Sequence, residues 1–135
     1  MSTEPGPSHS SPTILAVEDE VLIRMHLVDS LREYGFNVIE AADAAEAIDA
    51  LKTCDAVDLV FTDITLPGEL DGFGLVQWIR AQNSSMPIIL TSGGHNAALA
   101  AERCKGEPFL EKPYDVGVLA QRIFAALKMR GNGTA

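Results

Sequence analysis

Ile14-Leu15-Ala16-Val17-Glu18-Asp19 and Leu59-Val60-Phe61-Thr62-Asp63 each run from apolar or β-branched residues straight into carboxylates. Two further stretches lead to chemistry-bearing side chains in the same way: Ile88-Ile89-Leu90-Thr91 before Ser92, and Phe109-Leu110 shortly before Lys112. Short apolar runs bounded by breakers read as buried strands. If these four belong to one parallel sheet, their carboxyl ends lie side by side. Open α/β sheets bind ligands along that edge. Three carboxylates, a hydroxyl and an ammonium then meet at one spot, a set suited to a divalent cation and a phosphoryl group.

The segments between the runs carry helical periodicity. After a first strand at Thr13 to Val17, Ile23, Leu27, Leu31 and Tyr34 recur on the inner face of a helix that Gly35 ends. The second strand is Asn37 to Ala41. Asp43 and Glu46 form a capping box for a helix reaching Thr53, with Ala47, Ile48 and Leu51 inward. The third strand spans Leu59 to Thr62, and the breaker-rich loop Leu66 to Leu70 follows. Asp71-Gly72 opens a third helix that buries Phe73, Leu75, Val76 and Ile79. After the fourth strand, Asn96 caps a short Ala-rich helix fading near Cys104. Asp115 opens the last helix, with Val118, Leu119, Ile123, Ala126 and Leu127 inward.

Strand alternating with helix implies a parallel sheet covered on both faces. Right-handed crossovers leave few arrangements. The expected one is a doubly wound α/β fold: five parallel strands in the order 2-1-3-4-5, with five helices. Its switch point falls between the first and third strands, which carry Glu18-Asp19 and Asp63.

The 135 residues fit one domain, and 47% hydrophobic content fits a globular chain. The net charge of -9 repels nucleic acid phosphates, so no nucleic acid partner is expected. No apolar run approaches a membrane span, so no membrane association is expected. Cys54 and Cys104 lie far apart without a C-x-x-C, as in a reduced cytoplasmic protein. Residues 1–12 are rich in Ser, Pro and Gly and read as a disordered tail. The domain then occupies 13–129, with 130–135 a flexible C-terminus.

The carboxylates of Glu18, Asp19 and Asp63 would repel one another if fully ionised, and a bound cation removes the conflict. Oxygen donors with no His or Cys beside them favour Mg²⁺ over zinc. Asp63, directly after its strand, can attack phosphorus and form an acyl phosphate. Lys112 and the Ser92 hydroxyl can take phosphoryl oxygens. His26 reads as a packed or half-buried histidine, and His95 as a solvated loop residue. Gly72-Phe73-Gly74 follows a loop, not a strand, so it supports no nucleotide site.

These residues resemble the receiver domain of bacterial two-component response regulators. Ile14 to Glu20 is similar to that family's first strand and acidic pair, and Leu59 to Pro67 to its phosphoacceptor strand. Met86 to Gly93 resembles the strand ending in the switch hydroxyl, and Phe109 to Tyr114 the strand carrying its lysine. The resemblance covers Thr13 to Met129 and implies a flavodoxin-like fold in a stand-alone, single-domain switch.

It further implies Asp63 as phosphoacceptor, assisted by Lys112 and Ser92, and Mg²⁺ on Asp19, Asp63 and the Thr65 carbonyl, with Glu18 acting through water. It implies Ser92 and Phe109 as switch residues, coupled to a surface of the fourth helix, fifth strand and fifth helix. It implies a cis Lys112-Pro113 bond, and a histidine kinase or histidine phosphotransfer protein docking near Val21, Leu22, Met25, Pro113 and Tyr114. Two departures stand out. Glu18 replaces the commoner aspartate, and only 19 residues separate Ser92 from Lys112, so the fourth helix is expected to be short.

Two other functions compete. A small Mg²⁺-dependent phosphatase of the haloacid-dehalogenase type also uses a strand-terminal aspartate. It carries a second acid two residues on, where this chain has Thr65. A receiver-like module binding partners without phosphorylation would be expected to lack Asp63, Ser92 or Lys112. All three are present.

Overall fold

The structure, a computed structural model, describes residues 11–93, 102–103 and 106–134. The strands are β1 (Thr13–Val17), β2 (Asn37–Ala41), β3 (Val57–Asp63), β4 (Ile88–Ser92) and β5 (Phe109–Glu111). The described helices are α1 (Val21–Glu33), α2 (Ala44–Thr53), α3 (Gly72–Gln82) and α4 (Val116–Thr134). All strand pairs are parallel, in the order β2-β1-β3-β4-β5. This is the expected flavodoxin-like sheet. Of the helix expected from Asn96 to Cys104, only Glu102 and Arg103 fall among the described residues, and both are helical. No helix among the described residues is long and apolar enough to cross a membrane.

Side chains alternate across the sheet with period two, so each strand feeds two cores. Leu15, Val17, Val60, Ile88 and Leu90 pack against Ala47 of α2 and Leu75, Val76 and Ile79 of α3. Ile14, Ala16, Leu59, Phe61 and Ile89 pack against Leu27 and Leu31 of α1 and Leu119 and Ile123 of α4. Both faces are therefore dry, which is why the strands read as continuous apolar runs.

Local signals behaved as their chemistry requires. The Asp43 carboxylate accepts the Glu46 N–H at 2.9 Å, while Glu46 accepts the N–H of Ala42 at 2.8 Å. The expected capping box is thus present with its return bond one residue earlier. Gly35 ends α1 with φ +97°, a conformation open to glycine.

Several expectations need correction. Ile23 and Tyr34 are 39% and 48% exposed, and Val28 takes the inward place beside Leu27 and Leu31. His26 is exposed, not packed. Val118 is 40% exposed, and Ala120 is buried instead. In each case the buried stripe is narrower or rotated, because the sheet presents a restricted seat to the helix. β3 begins at Val57, two residues early, because the Asp58 carboxylate accepts the Thr13 N–H at 2.8 Å where the register shifts. The tail assignment fails at Ser11 and Pro12. Their carbonyls accept the Asn37 side-chain and backbone N–H groups at 3.1 and 2.9 Å. α4 runs on to Thr134, past the domain limit placed at 129. Each residue added to a formed helix gains one backbone bond, so propagation can pass glycine.

Candidate functional site

The carboxyl ends of β1 and β3 bring Glu18, Asp19 and Asp63 together, with carboxylate oxygens within 4.8 Å of one another. Glu18 is 1% and Asp63 5% exposed, whereas Asp19 faces solvent. The Glu18 N–H continues the ladder to the Ala41 carbonyl at 3.0 Å. Lys112 lies one position past the last β5 pairing, Ser92 with Glu111, with its N–H on the Ser92 carbonyl at 2.8 Å. Its ammonium donates to Asp63 Oδ2 at 2.5 Å and to Glu18 Oε1 at 3.1 Å. The Lys112-Pro113 bond is cis.

The remaining oxygens are held by backbone. Asp63 Oδ1 accepts the Thr65 N–H at 2.9 Å, and Glu18 Oε2 accepts the Glu20 N–H at 3.1 Å. Burial pushes the Glu18 carboxyl above its ordinary pKa, against the bonds from Glu20 and Lys112 that favour its charge. Burial would lower Lys112, but the hydrogen bonds and charges of Asp63 and Glu18 outweigh it and hold the ammonium above its ordinary range.

Three carboxylates face one ammonium, so the cluster carries an excess of negative charge. Its side-chain donors are all oxygen, and the exposed Asp19 leaves one side open. That donor set fits a hard divalent cation that keeps water and a phosphate oxygen in its shell.

Ser92 is 1% exposed, and its Oγ has no hydrogen-bond partner among the described residues. Phe109 is half-buried against the core shared with α2 and α3. Pro113 is exposed, as are Val21, Leu22 and Met25 at 56%, 79% and 53%. Tyr114 is not exposed as the expected docking surface implies. It packs edge-on to Phe61, with ring centroids 5.5 Å apart. Burial and the charge of Glu18 push its phenol up to about 12. Pro113 and Tyr114 line a groove of about 770 Å³ with Ile23, His26 and Tyr34. Val21, Leu22 and Met25 do not line it, although Ile23 and His26 of the same helix do.

Two supporting residues went unread in the sequence. Arg24 donates from Nη1 to the Glu18 carbonyl at 2.8 Å and pairs with Glu40 at 3.1 Å. Gly72 donates its N–H to the Ile64 carbonyl at 2.8 Å. A Cβ at Gly72 would lie 2.4 Å from both the Asp63 carbonyl oxygen and the Ile64 Cα. Only an aligned set of distant contacts shows Arg24, whereas the glycine opening a helix just after the Leu66 to Leu70 loop was a usable signal for close approach.

Comparison with known proteins agrees with this geometry. Residues 14–124 match the family model of the response regulator receiver domain. The chain is 31% identical over 125 residues to the transcriptional regulatory protein PrrA of Mycobacterium tuberculosis, covering 91% of this chain and 53% of that protein. It thus spans about half the length of that curated relative. It is similar to a response regulator receiver protein from Sinorhizobium medicae, with TM-score 0.83 and 31% identity over 91% of this chain and 99% of that one. It is also similar to NtrX from Brucella abortus, with TM-score 0.84 and 33% identity, covering 92% of this chain and 28% of that one. The fold order, the acidic edge and the match over residues 14–124 lead to one conclusion: the chain belongs to the response regulator receiver domain family.

Proposed function

We propose that this domain is a phosphorylation switch in which Asp63 accepts a phosphoryl group from a phosphohistidine. The observation that carries the reading is the ammonium of Lys112 lying between Asp63 and Glu18 inside a three-carboxylate cluster. In the transfer, an Asp63 oxygen forms the new P–O bond as the P–N bond breaks, and the electron pair leaves on the imidazole nitrogen. Lys112 then pairs with a phosphoryl oxygen, and Ser92 donates its hydroxyl to another.

Asp19, Asp63 and the Thr65 carbonyl would hold Mg²⁺. Glu18, occupied by Lys112 and the Glu20 N–H, would act through water. When bound, Mg²⁺ supplies positive charge against the carboxylates and the phosphoryl oxygen. The donor would be a histidine kinase or a histidine phosphotransfer protein, and the exposed Val21, Leu22 and Met25 beside Asp19 offer it apolar contact. Movement of Ser92 and Phe109 toward the phosphoryl group would change the surface seen by a downstream protein, or the group would pass along a relay.

The test is incubation with acetyl phosphate and Mg²⁺, followed by intact mass. One added phosphoryl group, absent with Asp63→Asn, is the expected result. No added mass, together with no spectral change on adding beryllofluoride, would sink the reading.

A further inference from the structure

One guanidinium at the amino end of the sheet holds the approaches to both strands that carry Ser92 and Lys112. Arg80 lies in the last turn of α3. Its Nε and Nη2 donate to the two carboxylate oxygens of Glu107 at 2.7 Å each, a planar fork on a planar acceptor. Its Nη1 donates to the Met86 carbonyl at 2.7 Å. Met86 stands just before β4, which ends on Ser92, and Glu107 just before β5, which leads to Lys112. The Arg80 and Glu107 side chains are 29% and 14% exposed, so solvent screens this pair less than a surface pair.

β5 has reason to need an anchor. It is the three-residue edge strand of the sheet and, among the described residues, pairs with β4 alone. So short a strand has few ladder bonds to define its register, and a slip of one residue would turn its side chains to the other face. The position of Lys112 against Asp63 depends on that register. α3 holds this part of the chain at a second point, where the Arg103 guanidinium lies 3.9 Å over the Phe73 ring. α3 itself starts at Gly72, bonded to the Ile64 carbonyl beside Asp63. The contacts form a closed mechanical loop from Asp63 through α3 to β5 and back through Lys112.

We propose that Arg80 is a positioning residue for the phosphoryl site. Through its fork on Glu107 and its bond to Met86 it sets the placement of β4 and β5, and so of Ser92 and Lys112, against Asp63. It touches no reacting atom. The inference rests on the reading of Asp63 as phosphoacceptor. Fixing one end of both strands leaves their carboxyl ends as the parts free to shift when the charge at Asp63 changes. The fork matters as much as the charge, because a lysine's single nitrogen cannot present the planar, spread donors that grip both Glu107 oxygens while also reaching the Met86 carbonyl.

The test uses the full chain and the variants Arg80→Gln, Arg80→Lys and Glu107→Gln. Amide hydrogen exchange is read in the unphosphorylated protein at Lys112 and Leu90, whose N–H groups bond across β4 and β5 at 2.8 and 2.9 Å, and at Leu15 in β1. Phosphorylation by acetyl phosphate with Mg²⁺ is followed by intact mass at rising donor concentration. Both Gln variants are expected to speed exchange at Lys112 and Leu90 about tenfold with Leu15 unchanged. The maximal phosphorylation rate should fall about tenfold, with the half-saturating donor concentration unchanged. Arg80→Lys should fall between. Equal acceleration at Leu15, or rates within about twofold of wild type in both Gln variants, overturns the proposal. A wild-type chain that takes up no phosphoryl group overturns the phosphoacceptor reading instead, and the exchange readout then decides the clamp by itself. Should Arg80→Gln fail to fold, Glu107→Gln and Arg80→Lys carry the same comparison.

Discussion

The Lys112 ammonium lies 2.5 Å from Asp63 Oδ2, joining residues 49 positions apart in the chain. It reaches Glu18 at 3.1 Å in the same geometry. Lys112→Ala would leave two buried carboxylates facing each other. We expect a stability loss of about 2 kcal/mol in urea unfolding. The phosphorylation rate from acetyl phosphate should drop by about 100-fold, because the lost charge faces the transferring group. A variant that phosphorylates at the wild-type rate would remove Lys112 from the site's chemistry.

Gly72 and Gly74 give a paired test of backbone approach. A Cβ at Gly72 meets the Asp63 carbonyl oxygen and the Ile64 Cα at 2.4 Å, both rigid backbone. A Cβ at Gly74 meets only the Leu70 side chain, at 2.8 Å. Gly72→Ala should cost about 3 kcal/mol and slow phosphorylation, since α3 must move away from the acceptor loop. Gly74→Ala should change stability by less than about 1 kcal/mol, with helix propensity offsetting the small clash. Equal effects of the two substitutions in thermal unfolding would contradict this account.

Ser92→Ala removes a buried hydroxyl that has no hydrogen-bond partner among the described residues. Stability should therefore change by no more than about 0.5 kcal/mol. The switch should suffer instead. In wild type, beryllofluoride should shift the Phe109 ring resonances, and in Ser92→Ala that shift should shrink. A stability loss well above this range would mean that the hydroxyl already has a partner before phosphorylation.

Tyr114 gives a test in alkali. Burial, aided by Glu18, raises its phenol from 10.0 to about 12. The folded state holds that proton more tightly than the unfolded chain does. The associated stability is fully present below pH 10 and is lost as pH rises through about 12. The ultraviolet ionisation difference between wild type and Tyr114→Phe should have its midpoint near that raised value. Tyr114→Phe should also flatten the loss of stability above pH 10. An ordinary phenol titration at this position would show that the ring is not seated on Phe61.

Much of the site could be read before any contact was known. Glu18, Asp19 and Asp63 were legible because each follows an apolar run, and parallel strands align such ends at one edge. Ser92 and Lys112 were legible for the same reason. The Asp43 cap was legible because its partner lies three residues away. What escaped depends on the third dimension. Ile23 and Tyr34 have helical spacing with Leu27, yet both are exposed, because spacing defines a stripe and not where the sheet ends beneath it. Tyr114 looked like a surface residue until Phe61 supplied an edge-on seat. Arg80 and Glu107 lie 27 positions apart in segments with no motif, so nothing local joins them.

The sequence by itself determined the strand order, the two-faced sheet and the identity of the groups at its carboxyl edge. Those follow from the period and polarity of short segments, which neighbouring residues control. Only the tertiary structure decided that Lys112 bridges Glu18 and Asp63, that Gly72 presses on the acceptor strand, and that Arg80 holds the approaches to β4 and β5. The Lys112 and Arg80–Glu107 pairs join residues far apart in the chain, and the packing of helices on the finished sheet brings these groups within bonding distance.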